Sequence, residues 1–239
     1  MEVHTPKEII RCLKELSDLK KAEFFPRFFK TGPGEYGEGD KFLGVTVPYQ
    51  RSVAKKFEKS INLSQIEELM ASEYHEVRLT GLFMLVAKFE KTKDSLERKR
   101  IFDFYLNIRH QINNWDMVDG SAPQILGGWL WDKDRDILYK LANSENIWEN
   151  RMAILATFHF IRKNDFKDII ALAEKLLHHP HDLIHKAVGW MIREVGKRDY
   201  QLAYDFLTQH YKNMPRTMLR YAIEKFHHDV RTQFMKGNI

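Results

Sequence analysis

Asn150-Arg151-Met152-Ala153-Ile154-Leu155 decides the fold, because its pattern returns along the chain. Val77-Arg78-Leu79-Thr80-Gly81-Leu82, His185-Lys186-Ala187-Val188-Gly189-Trp190 and Leu219-Arg220-Tyr221-Ala222-Ile223 each set a basic residue before apolar and small ones. Asn114-Trp115-Asp116-Met117-Val118 falls between the first two of these in chain order. The marks at 78, 115, 151, 186 and 220 are separated by 37, 36, 35 and 34 residues. That period suits paired antiparallel helices stacked in series, since one pair cannot bury its apolar face alone. The reading is all-α: a curved α-solenoid of helical repeats of the HEAT or armadillo kind. The marked helices line one side, the concave one.

The rest of the chain agrees. Thr5-Pro6 reads as a helix start, a capping hydroxyl followed by proline in the first turn. Phe24, Phe25, Phe28 and Phe29 form a short aromatic helix. Pro48 opens a helix carrying Arg51, Lys55 and Lys56. Helices are then expected near 63–71, 74–91, 94–110, 115–130, 134–143, 147–162, 165–177, 182–196, 200–211 and 215–227. The tail from Lys225 to Ile239 is expected to fray. Thr31 to Asp40 is the glycine-rich stretch and lacks the Gly-Lys-Ser/Thr ending of a phosphate-binding loop. The expectation is one domain over 1–239, with a flexible loop near 31–41.

Composition narrows the class. The 239 residues are 44% hydrophobic and 30% charged, with a net charge of +5, which suits a protein with a real core. A mild basic excess fits a polyanionic partner or an ordinary basic protein equally well. The single cysteine, Cys12, excludes an internal disulfide and is expected to be buried and inert. No run of about 18 apolar residues is present, so no membrane span is expected. The stretch Met1 to Pro6 has no basic region followed by an apolar one, so no signal peptide is expected. A reducing cytoplasm fits, with the protein at the nucleoid when it acts on DNA.

Two readings stand for the basic marks Arg78, Arg151, Lys186 and Arg220. They form a positive stripe for a polyanion, or they bond neighbouring repeats as a ladder. Trp115 and Asp119 are four apart and share a helix face, and so do Lys186, Trp190 and Arg193. Two tryptophans, one carboxylate and several cations on lining helices favour a binding surface. His178, His179, His181 and His185 lack metal-ligand spacing, so no metal site is expected. Asp116 opens a helix, where a dipole or capping role is expected. Trp129, Trp131 and Trp148 are expected to pack between repeats.

The sequence resembles the AlkD-like family of DNA alkylation repair glycosylases over nearly its whole length. The resemblance rests on four motifs in order: Phe42-Leu43-Gly44-Val45-Thr46-Val47-Pro48 with Arg51; Asn114 to Asp119; Ser144 to Arg151; and Lys186 to Glu194. It implies Asp119 as the catalytic carboxylate, with Trp115 and Trp190 packing against the deoxyribose of the damaged nucleotide. Arg151 and Arg193 would hold the DNA backbone, with Lys186 and Arg51 as further contacts. Thr46 stands where the resemblance leads one to expect a glutamine, and His159 where it leads one to expect a lysine. Both would reshape DNA contacts, and His159 would be only partly charged at neutral pH.

An enzyme of this kind would excise N3-alkyladenine and N7-alkylguanine from duplex DNA, as a monomer, without a cofactor and without a pocket gripping the extruded base. Such purines already carry a positive charge, so they leave without a general acid. A non-catalytic helical-repeat protein that binds damaged or branched DNA is the alternative. A protein scaffold without a DNA role is disfavoured by the basic stripe and the aromatic–carboxylate cluster.

Overall fold

The structure is a computed structural model describing residues 5–239, so the reading of residues 1–4 as lacking a signal sequence lies outside the described residues. The described residues form helices and turns, with a single isolated bridge between Lys41 and Tyr74 and no strand. No helix is long and apolar enough to cross a membrane among the described residues. The helices gather into two compact units, one ending at Ile125 and the other running from Leu126 to Ile239.

The first unit holds α1 (Pro6–Glu15), α2 (Leu19–Phe29), α3 (Val47–Phe57), α4 (Leu63–Met70), α5 (His75–Lys91), α6 (Ser95–Ile108) and α7 (Trp115–Asp119). Thr5 opens α1 as its sequence indicates: its hydroxyl accepts from the Glu8 N–H, and Glu8 accepts from the Thr5 N–H. Helix α5 forms the core of the unit, buried from His75 to Leu85 and packed by α3, α4 and α6. The segment from Thr31 to Asp40 is a series of turns, held by bonds such as Gly37 N–H to the Lys30 carbonyl. Its last residue, Asp40, has a buried side chain.

The second unit holds α8 (Gly128–Leu130), α9 (Asp136–Ala142), α10 (Ile147–Ile161), α11 (Lys167–Lys175), α12 (Asp182–Gly196), α13 (Tyr200–His210), α14 (Arg216–Ala222) and α15 (His228–Lys236). Helices α10, α12 and α14 pack on one another in succession, and each carries one of the repeat marks: Arg151, Lys186 and Arg220. Gly189 makes this stacking possible. A Cβ there would stand 2.4 Å from the Met218 carbonyl oxygen and 2.6 Å from the Tyr221 Cβ.

Three expectations are corrected. The single helix expected over 115–130 is broken: α7 ends at Asp119, a π-turn spans Pro123–Gly127, and α8 follows. Gly120 weakens the helix there, and Pro123 has no N–H to continue the ladder. The tail does not fray. Helix α15 buries Phe234 completely, edge-on to Tyr211 and Tyr204, and the Tyr211 hydroxyl donates to the carbonyls of Gly237 and Ile239. Cys12 is half-buried rather than buried.

Candidate active site

The basic marks resolve in favour of the ladder at two positions. Arg78 is 5% exposed and donates to the Ser72 carbonyl at 2.7 Å, to Asp40 at 2.6 Å and to Asn113 at 3.1 Å. Arg151 is also 5% exposed and donates to the Leu183 carbonyl at 2.7 Å, which ties α10 to the first turn of α12. Both guanidinium groups are engaged within the protein, Arg151 at the Leu183 carbonyl. Lys186 and Arg220 remain accessible, with Lys186 paired to Asp182 at 2.6 Å.

In the first unit, Trp115 and Asp119 lie at the two ends of α7. Asn114, fully buried, starts that helix: its side-chain oxygen accepts the Trp115 N–H at 2.9 Å, and its amide donates to the Phe29 carbonyl at 3.3 Å. The Trp115 ring stacks on Phe29 at 5.7 Å and meets Phe28 edge-on at 5.7 Å. Asp119 is half-buried, and the buried Tyr105 hydroxyl lies within reach of its charge. Burial chiefly, with a smaller push from Asp119, raises the Tyr105 pKa and keeps that phenol protonated. Its hydroxyl pairs with Ser121 at 2.9 Å, and Ser121 donates to the Met117 carbonyl at 2.6 Å, bracing α7 from below.

Asn114 is the cap of α7, and Asp116 is an acidic residue of its first turn that accepts the Met117 N–H at 2.8 Å. Its other oxygen does something the sequence did not reveal, meeting His75 Nε2 at 2.9 Å. His75 Nδ1 meets Asp40 at 2.9 Å, so a buried imidazole bridges two carboxylates from distant segments. Burial alone would lower the His75 pKa, but the charge and hydrogen bond of Asp116, with those of Asp40, outweigh it and raise it to about 9. His75 is therefore an imidazolium at neutral pH, donating from both nitrogens. The same arrangement lowers the Asp40 pKa: burial opposes ionisation, while the His75 bond and the Arg78 charge overcome it.

The next residue organises the first motif. Glu76, 1% exposed, accepts the backbone N–H groups of Leu43, Gly44 and Val45 at 2.8–3.2 Å. Gly44 has φ +80°, and a Cβ there would sit 2.1 Å from the Asp18 carbonyl oxygen, so glycine is required. Thr46 then becomes the N-cap residue of α3, yet its side chain makes no capping bond. Arg51 is exposed and lies over the Phe83 ring at 4.0 Å. Thr46 and Trp115 border one cavity of about 280 Å³.

In the second unit, Trp190 is half-buried and packs against Phe158 at 5.8 Å. Arg193 pairs with Glu224 and lies 3.7 Å from Glu194. His159, near the end of α10, faces Trp131 at 6.2 Å, and Lys163 lies over that same indole at 4.3 Å. Trp148 is buried as expected, while Trp129 and Trp131 are half-exposed beneath lysines. The histidines near Pro180 serve local structure: His181 caps α12 by accepting the Leu183 N–H, and His179 accepts the His181 N–H.

Asp40, His75 and Glu76 are thus the residues that sequence reasoning missed. The available signal was His75-Glu76-Val77-Arg78, three ionisable residues in the first turn of a helix that is then apolar or small, Thr80 apart, as far as Ala87.

Stacked helix pairs with an aromatic–carboxylate helix define a helical-repeat protein with a candidate active site. The chain belongs to the DNA alkylation repair enzyme family, whose model matches residues 9–226. Its fold is similar to that of a protein from Enterococcus faecalis described as a predicted DNA alkylation repair enzyme. The TM-score is 0.69 and the identity 16%, over 89% of this chain and 97% of the other. No curated protein sequence matches the chain.

Proposed function

We propose that the protein is a monofunctional DNA glycosylase that releases purines alkylated at N3 or N7 from duplex DNA, in base excision repair. The observation that carries this reading is α7, which sets Trp115 at one end and Asp119 at the other. Buried bonds through Asn114, Asp116 and Ser121 hold it in place.

The chemistry follows from charge. The C1′–N bond breaks with its electron pair going to the base, which was cationic and leaves neutral. The sugar is left as an oxocarbenium ion. Asp119 stabilises that cation, and it accepts a proton from the water that captures it. At ~4 Å and an effective dielectric of ~20, one such charge pair contributes about 4 kcal/mol, equivalent to about a thousandfold in rate. The Trp115 face adds roughly 0.5–2 kcal/mol of attraction for the developing cation. Selection by charge in this scheme does not require a pocket closed around the departing base.

DNA contacts are assigned to accessible groups. Arg51 and the uncommitted Thr46 hydroxyl serve the first unit, and Lys186, His159, Trp190 and Arg193 the second. Lys186 and Arg193 would exchange Asp182 and Glu224 for phosphate. Arg151 acts as a positioning residue, fixing α10 against α12 rather than meeting phosphate. Release of free 3-methyladenine and 7-methylguanine from methylated duplex DNA tests the proposal. Salt-sensitive DNA binding with no release of either base would support the non-catalytic alternative.

A further inference from the structure

We propose that the cavity walled by Phe25, Phe28, Phe29, Phe42 and Trp115 is a nucleobase-binding site. Its occupant is a planar nitrogen heterocycle that stacks on these rings and donates an N–H to Gln50. Asp119 is not part of the lining, but Trp115 is, so this site adjoins the proposed catalytic helix without including its carboxylate.

The walls fit a flat ring. Trp115, Phe29 and Phe42 are close to parallel, with successive interplanar angles of 17° and 19°. Phe25 meets Phe29 and Phe42 edge-on, and Phe28 meets Phe29 and Trp115 edge-on. Phe28 is 52% exposed, an unusual degree for a phenylalanine with so many aromatic neighbours, and it stands where the cavity meets solvent. The volume of about 280 Å³ accommodates one heterocycle.

The polar groups decide the chemistry. Gln50 is 3% exposed, and its amide nitrogen donates to the Val45 carbonyl at 2.7 Å, which fixes the amide orientation. Its oxygen, Oε1, is then buried without a partner. Buried acceptors are nearly always satisfied, so this one calls for a donor. The other polar groups of the lining are Thr46, the His75 imidazolium and the carboxylates of Glu76 and Asp116, a set whose single positive charge is outnumbered by its carboxylates and which therefore disfavours an anion. A purely hydrocarbon ring would leave Oε1 unsatisfied. A nucleobase bearing an exocyclic amine supplies the flat face and the N–H together.

The same chemistry has two sources: a free base, or a base unstacked from a strand lying along Thr46 and Trp115. The second rests on the proposed DNA role; the first stands without it. In the free-base arm, 9-methyladenine is titrated into the full-length protein and followed by saturation-transfer NMR. It is compared with 6-dimethylamino-9-methylpurine, which has no exocyclic N–H. In the strand arm, 2-aminopurine fluorescence is followed in duplex DNA carrying that base unpaired.

Saturable binding of 9-methyladenine supports the site if it weakens at least tenfold in the dimethylamino analogue and in Phe28→Ala and Gln50→Leu. Thermal melting checks that both variants fold. Should Gln50→Leu fail to fold, the analogue and the rim variant Phe28→Ala carry the comparison. A fluorescence change only with DNA, lost in Phe28→Ala, supports the strand source. Absence of both signals overturns the proposal. So does toluene displacing 9-methyladenine while the dimethylamino analogue binds equally well. None of these readouts depends on base excision, so failure here is distinguishable from failure of the glycosylase reading.

Discussion

His75 Nε2 lies 2.9 Å from Asp116 Oδ2, one residue beyond Trp115, while His75 Nδ1 lies 2.9 Å from Asp40. The helix that presents Trp115 and Asp119 is thus anchored through its first turn to the buried core helix α5 and to the turn segment ending at Asp40. An imidazolium with both nitrogens donating is a rigid spacer, because neither bond can rotate away without leaving a buried charge unpaired.

This anchor is pH-dependent. The His75 pKa is about 9 in the folded protein, against 6.5 for an ordinary histidine in water. Its contribution to stability is therefore complete below about pH 6.5 and is lost as pH rises through about 9. His75→Gln should lower stability by about 3 kcal/mol at pH 6. The gap from wild type should narrow steadily between pH 6.5 and 9.5. Urea denaturation across that range measures it; a gap that stays constant would mean the imidazole is neutral.

Arg151→Met should act on stability. Removing the donor to the Leu183 carbonyl leaves a buried acceptor, at a cost of about 1–3 kcal/mol. A fall in denaturation midpoint with an unchanged salt slope of DNA binding is expected. A smaller slope with full stability would instead make Arg151 a phosphate ligand.

DNA binding should respond to salt through the accessible cations. Each phosphate-binding cation removed should reduce the slope of log K against log salt by about 0.9. Arg51→Ala is expected to do this uniformly across sequences, which fluorescence anisotropy at several salt concentrations would reveal. An unchanged slope would remove Arg51 from the DNA interface.

Phe234→Ala should cost about 3–5 kcal/mol, because the ring is fully buried among Tyr204, Tyr211 and Phe226. Calorimetry would show the loss. Negligible destabilisation would mean that α15 adds nothing to the core.

The repeat architecture was legible because it is periodic: α10, α12 and α14 carry Arg151, Lys186 and Arg220 at a spacing that only stacked pairs explain. What the basic marks do was not legible, since a ladder and a phosphate stripe use the same letters and differ only in burial. Helix α15 escaped notice because Phe234 is its only fully buried apolar residue, too little to make a periodic face. The break after Asp119 was written locally in Gly120 and Pro123 but outweighed by the apolar run around them. The Asp40–His75–Asp116 bridge joins residues 35 and 41 positions apart, and no local pattern specifies such a pairing. The aromatic cavity was half legible: its phenylalanines stood out as a cluster, but their convergence with Trp115 and Gln50 is tertiary.

The most direct measurement is single-turnover release of 3-methyladenine and 7-methylguanine from methylated duplex DNA by wild type and Asp119→Asn, with DNA affinity measured alongside. If Asp119 stabilises the sugar cation, the variant should release both bases about a thousandfold more slowly while binding DNA as wild type does. Equal release by both proteins, or none by wild type, would contradict the assignment of Asp119 as the catalytic carboxylate.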